Sequence, residues 1–166
     1  MLLINLAVAT AAIATVIVVQ LAATLVLAYQ VRRFIPVWIE HHPAQFVIAR
    51  SALLSFAILF LGHIVQIWFW AGLYIVLGEF TDFETALYFS TVTISTLGYG
   101  DIVLSPDWRL LGAIEAASGI LLFGWSTAML VAVLMRTWQG ALQRHQSSAA
   151  AMRSIPSAMR AEGIDE

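Results

Sequence analysis

The sequence predicts an all-α membrane protein, with three transmembrane helices and a re-entrant helix and loop between the second and third. Three observations predict it. Of 166 residues, 61% are hydrophobic and only 11% charged, with a mean hydropathy of +0.88, outside the balance of a soluble domain. Three apolar runs are each long enough to cross a bilayer, which takes roughly 20 residues at about 1.5 Å of rise. The stretch between the second and third, Glu79 to Asp107, is too short and too rich in hydroxyls and glycine for a fourth span. Backbone of that kind is tolerated at membrane depth only where protein buries it or water lines it.

The first run extends from Leu2 to about Val31, with Gln20 as its main polar interruption. Its alanines, such as Ala7, Ala11, Ala22 and Ala23, suit close helix packing. A cleaved signal peptide is the rival reading. The run has no basic n-region, is long for an h-region and carries its arginines after the apolar stretch, so a retained helix is expected. The link from Arg32 to Arg50 holds Pro36, Glu40, His41, His42 and Pro43, which predict turns or a short surface helix, with Phe34, Trp38 and Phe46 placed for the membrane interface. The second run spans about Ala52 to Leu77, and Trp68, Trp70 and Tyr74 sit where an aromatic belt forms. The third spans about Trp108 to Met135, with Trp108 and Trp138 at its ends. After Gln139 an Ala/Ser-rich tail is expected to continue the helix for a few turns and fray near Pro156.

All eight cations are arginines, and there is no lysine. Arg32, Arg33 and Arg50 flank the first connection and Arg136 and Arg144 follow the third span, which puts both on the cytoplasmic side, the amino terminus outside and the carboxyl tail inside. On the outer side, five acids (Glu79, Asp82, Glu84, Asp101, Asp107) face Arg109 alone. Cysteine is absent, so no disulfide framework or thiolate metal site is available. No nucleotide fingerprint or calcium loop occurs, and neither a cofactor nor a nucleic-acid partner is expected.

The re-entrant segment opens with Thr81 and Glu84 at the spacing of a capping box, which predicts a helix from about Asp82 to Ser95. Its carbonyl end, with its partial negative charge, then faces whatever lies beyond, and a cation is the natural occupant. Gly98 and Gly100 follow, able to take backbone angles that side-chained residues reach only with strain. Such alternation can aim successive carbonyls in one direction. Four copies around an axis would then make rings of oxygens, which requires closed fourfold symmetry.

The run Thr96-Leu97-Gly98-Tyr99-Gly100-Asp101 resembles the selectivity filter of the potassium channel pore-domain family. The resemblance covers about Ala52 to Met135, in the order outer helix, pore helix, filter, inner helix, and "SGILLFGWSTAMLV" (118–131) is similar to the family's inner helix. It implies a homotetramer in lipid, in which the carbonyls of Thr96, Leu97, Gly98 and Tyr99, with Gly100 closing the segment, replace the hydration of K+. The Tyr99 ring would pack outward, and Asp101 would sit at the outer mouth beside an aromatic donor, for which Tyr88 serves and Phe89 does not. Gly119 falls where a hinge glycine is expected and Gly124 where a second small residue lies. Two positions depart from the family pattern: Leu97 replaces the commoner valine, and Val92 stands where some members keep a carboxylate.

Ile120, Phe123, Thr127 and Val131 recur at helical spacing and are candidates for the cavity lining or for helix packing, with Phe123 and Val131 able to gate by dewetting. Glu115, about two turns into the third span, is expensive there and is expected to bond behind the filter or to His63 or Gln66, the alternative being a titratable gate. His63 alone reads as a packing histidine, and His41-His42 as a solvated pair without a third ligand. The first span lacks arginines at three-residue intervals, so no voltage sensor is expected. The organisation expected is an additional helix and link (1–50), a pore domain (51–136) and a cytoplasmic tail (137–166). The function expected is passive, K+-selective conduction without chemistry. The alternatives are a non-conducting scaffold or regulatory subunit whose pore the extra helix seals, and an intramembrane enzyme using His63, Glu115 and His41.

Overall fold

A computed structural model describes residues 2–154 and contains four helices: α1 (Leu2–His41), α2 (Ala44–Val76), α3 (Phe83–Ile94) and α4 (Arg109–Ser154). Three of them, over Leu2–Trp38, Ala44–Val76 and Arg109–Arg144, are long and apolar enough to span a membrane. The fraying expected near Pro156 lies outside the described residues.

The helices run further than the apolar runs alone predict. α1 continues through Arg32 and Arg33 and carries Pro36 inside it, where the missing N–H costs one hydrogen bond. It stops because Pro43 disfavours helical backbone at His42, and Pro43 itself (φ −58°, ψ 143°) turns the chain directly into α2. The long link expected from Arg32 to Arg50 is thus two residues between helices. Beside it, the Arg50 guanidinium lies 4.3 Å from the centre of the Trp38 ring and ties the two helix ends together.

α2 ends in a Schellman motif: Gly78 at φ +77° donates to the Ile75 carbonyl (3.0 Å) and Glu79 to that of Tyr74 (3.0 Å). The start of α3 differs by one residue from the predicted capping box. Asp82, not Thr81, is the cap, and its carboxylate accepts from the Thr85 amide (2.8 Å) and hydroxyl (3.0 Å). Those two donors hold the exposed Asp82 carboxyl below its usual range. Glu79 accepts from the Ser105 amide and hydroxyl, both at 2.7 Å, and so fastens the far side of the re-entrant loop to the end of α2.

α1 packs against α2 and α4, and α3 also lies against α2 and α4 but not against α1. The face of α1 that makes these contacts is Asn5, Ala9, Ala12, Val16, Gln20, Leu27, Val31 and Ile35, all buried at helical spacing. Of the alanines expected to pack, Ala7, Ala11 and Ala22 point outward, and Ala23 meets α2 at Gly62. Small size permits close packing, but the helical period decides which small residues are used. Around Trp70, Tyr74, Phe89, Ile94 and Leu111 an aromatic-rich core joins all four helices, with Tyr74 and Phe89 edge-on at 5.2 Å.

Candidate functional site

The re-entrant loop follows directly from the end of α3. Ser95 closes the helix, Thr96 donates to the Thr93 carbonyl (2.9 Å), and the amides of Leu97 (3.0 Å) and Gly98 (3.2 Å) both turn back to the Val92 carbonyl. Beyond this anchor the backbone alternates. Thr96 (φ +59°), Gly98 (+58°) and Gly100 (+76°) are left-handed, while Leu97 and Tyr99 between them are not. The two glycines take these angles without a Cβ penalty. Thr96 is the one non-glycine residue with positive φ among the described residues, and β-branched side chains rarely go there, a conformation costing roughly 1–3 kcal/mol. Nothing about the residue type signals it; only the two-residue spacing of the glycines after it, at 98 and 100, does.

Residues 95–100 are exposed in the single chain, with Leu97 at 55% and Tyr99 at 66%. Asp101 sits beside α3, where the Tyr88 hydroxyl donates to its carboxylate at 2.7 Å. That bond holds the Asp101 carboxyl below its usual range and pushes the Tyr88 phenol up. A carboxyl with a depressed native pKa contributes stability above its unfolded pKa and loses it as pH falls through the native one. The tether is therefore expected to persist at pH values where free carboxylates are already protonated, and to fail only in stronger acid. A pH titration of the Asp101 carboxyl carbon by NMR checks this, with Tyr88→Phe expected to move the midpoint upward.

Behind the loop, α4 presses on the end of α3. A Cβ on Gly119 would lie far inside contact distance of the Ile94 carbonyl oxygen, and 2.9 Å and 3.0 Å from Ile94 Cγ1 and carbonyl carbon. Gly124, in contrast, has nothing within 4 Å of where its Cβ would be. One turn from Gly119, the fully buried Glu115 accepts from the Tyr74 hydroxyl of α2 at one oxygen and the Ser90 hydroxyl of α3 at the other, both at 2.6 Å. Each carboxylate oxygen has a short donor, which is how a buried acid is accommodated. Glu115 does bond behind the re-entrant segment, but His63 and Gln66 are not its partners. Glu115→Ala would leave Tyr74 without an acceptor, whereas Ser90 keeps the Ile67 carbonyl at 3.2 Å. A loss of about 2–4 kcal/mol is expected from these broken bonds, read as a lower unfolding midpoint in detergent.

A model of the ion channel family matches residues 53–136, slightly more than half of the chain, from early α2 through α3 and the loop into α4. The chain belongs to the ion channel family. Comparison with curated proteins and with solved structures gives no match.

In this channel the matched segment is the part that sequence reading assigned to the pore, and its multi-pass helices place it in a membrane. The inner-helix candidates share one side of α4: Ile120 (61% exposed), Phe123, Thr127 and Val131 (53%) all face outward in the single chain. Phe123 also touches α2, its ring 4.6 Å from that of His63. His63 belongs to a polar cluster of its own, bonding Gln66 at 3.0 Å and Ser126 at 2.9 Å. It lines a cavity of about 220 Å³ with Phe56, Phe60, Phe123 and Thr127, which neither Glu115 nor His41 borders. The three polar residues that an enzyme reading invoked thus do not converge. No cluster of His, Asp or Glu able to hold a metal ion occurs among the described residues. Sequence reading missed Ser90, Tyr74 and Ser126 as polar partners, since hydroxyls inside apolar runs give no signal until a neighbouring helix supplies an acceptor.

Proposed function

We propose that four copies of this chain assemble around one axis as a K+-selective channel, conducting K+ passively through rings of carbonyl oxygens from Thr96, Leu97, Gly98 and Tyr99. The observation that carries this reading is the alternation of backbone hand at Thr96, Gly98 and Gly100, in a T-L-G-Y-G-D sequence, directly after the carbonyl end of α3. Alternating hand can turn successive carbonyls to one side, and four such strands replace an ion's hydration shell. Residues 51–136 then serve as the pore domain, 1–50 as an additional helix and link, and 137–166 as a cytoplasmic tail, with the amino terminus outside. Asp101 and its acidic neighbours concentrate cations at the outer mouth over about 10 Å, the reach that salt screening allows. The channel performs no chemistry.

That α1 has no contact with α3 favours a peripheral helix over one that seals the pore. Reconstitution in liposomes with valinomycin and protonophore controls tests the whole reading. K+ flux well above Na+ flux is expected; equal passage of the two ions would refute selectivity, and absence of flux from well-folded tetramers would favour a scaffold.

A further inference from the structure

Glu115 sits fully buried between a hydroxyl of α2 and a hydroxyl of α3. The Tyr74 hydroxyl reaches Oε2 at 2.6 Å, and no other acceptor for it occurs among the described residues. Ser90 Oγ lies 2.6 Å from Oε1 and 3.2 Å from the Ile67 carbonyl oxygen, although a hydroxyl carries one hydrogen. Two placements of hydrogen therefore fit the same heavy atoms. When Glu115 is ionised, Ser90 donates to Oε1. When Oε1 carries a proton, the acid donates to Ser90 Oγ, and the Ser90 hydrogen turns to the Ile67 carbonyl. The proton belongs on Oε1, because on Oε2 it would meet the phenol hydrogen, which has nowhere else to turn. Both 2.6 Å contacts survive in either form, and one hydroxyl rotation is the whole rearrangement.

No cation stands beside this carboxyl. α3 turns Ser90 to it and has no basic residue; Tyr88 is turned to Asp101, and the acids Asp82 and Glu84 lie more than a turn before Ser90. α2 turns Tyr74 to it, while His63 lies about three turns away and bonds Gln66 and Ser126, and Glu79 beyond the helix end holds Ser105. α1 brings no titratable side chain before Tyr29. On α4 itself Arg109 lies nearly two turns earlier and is exposed. Toward the loop the path is short. Gly119, one turn beyond Glu115, abuts the Ile94 carbonyl, and Ser90 precedes Thr96 by roughly 9 Å at helical rise.

We propose that Glu115 is a proton-binding site linked to K+ occupancy of the loop. A K+ ion in the loop favours the carboxylate and sends the proton from Oε1 to bulk water; a proton taken up at Oε1 removes that negative charge and weakens K+ binding. The two effects are equal in size by thermodynamic necessity. A unit charge at roughly 10 Å, through an effective dielectric of about 20, changes ion binding by about tenfold, and buried charges escape most of the screening by salt. Because Ser90 and Tyr74 hold both forms, the charge changes without the buttress behind the loop coming apart. The proton site rests on the hydrogen bonds alone, whereas its linkage to K+ rests on the channel reading above.

Infrared difference spectra of the full chain in lipid test it. A carbonyl stretch of a protonated carboxyl, absent from Glu115→Gln, is expected to titrate between about pH 5 and 9, with a midpoint about one unit lower in K+ than in Na+. In Glu115→Gln the amide nitrogen donates to Ser90 and its oxygen accepts from Tyr74, so the fold is kept while the charge is gone. Calorimetry should give K+ binding about tenfold tighter above the midpoint than below it, and the weaker value at every pH in Glu115→Gln. The unaltered protein supplies a readout that needs no variant: adding K+ in weak buffer near the midpoint should release protons, and adding Na+ should not. A midpoint that is the same in both salts, K+ binding whose pH dependence survives Glu115→Gln, or no proton release overturns the linkage. A carboxyl that stays ionised or stays protonated across the whole range overturns the proton site. If K+ binds at no pH, the channel reading fails and the linkage with it, while the infrared band still decides the proton site on its own.

Discussion

Gly119→Ala is expected to displace the end of α3 and abolish K+ flux while leaving the helical content of the protein intact. The added methyl would clash with the Ile94 carbonyl oxygen, which is backbone and has no rotamer through which to yield. Ile94 is the last residue of α3, and the loop begins two residues later at Thr96, so whatever relieves the clash moves the loop itself. Overpacking of this kind costs roughly 1–3 kcal/mol, and in the proposed tetramer each of four copies would carry it. Circular dichroism with liposome flux checks the expectation. Gly124→Ala is the control that separates contact from hinge. No atom lies near its Cβ position, so the exchange should stabilise α4 by up to about 1 kcal/mol through helix propensity alone. If helix bending at Gly124 is part of gating, flux will fall although nothing clashes; if flux is kept, Gly119 acts in this channel by close approach.

Gly98→Ala is expected to remove discrimination between K+ and Na+. At φ +58° a Cβ meets the following carbonyl at a cost of roughly 1–2 kcal/mol per residue, and in the proposed tetramer four copies would share one ring. The loop escapes that cost by returning residue 98 to negative φ, which rotates its peptide plane and takes an oxygen off the axis. Bi-ionic potentials should then give a permeability ratio near unity. Thr96 provides the counter-experiment, because it already bears this strain. Thr96→Gly should relieve it and raise the unfolding midpoint, yet lower selectivity by removing the hydroxyl and loosening the segment. A variant that is more stable and less selective would indicate that the native loop holds its angle at the expense of stability, as strained functional segments do.

Much of the architecture was legible in the residues. The three spans, the short helix before the loop and the tyrosine that would meet Asp101 all follow from local signals: apolar length, turn residues and the donor chemistry of a phenol. Helix ends were less legible, because the apolar runs stop where the membrane does while the backbone continues until a proline or a left-handed glycine stops it. Thus α1 passes through its two arginines to His41, and the cap of α3 is Asp82 instead of Thr81. The buried polar partners were the least legible. Glu115 was conspicuous as an acid in a span, but its choice of Tyr74 and Ser90 over His63 and Gln66 depends on how far α2, α3 and α4 are rotated about their axes.

By itself the sequence determined that this chain crosses a membrane three times and carries a glycine-punctuated loop between its last two spans, since both depend on composition along a short window. The tertiary structure decided which hydroxyl faces which carboxylate, that Gly119 is a contact, that Thr96 shares the left-handed backbone of the glycines, and that Ser90 stands between Glu115 and a carbonyl of α2. The physical reason is the same in each case: a helix fixes the spacing of its side chains but not its own rotation, and rotation is set only when neighbouring helices compete for the same buried volume.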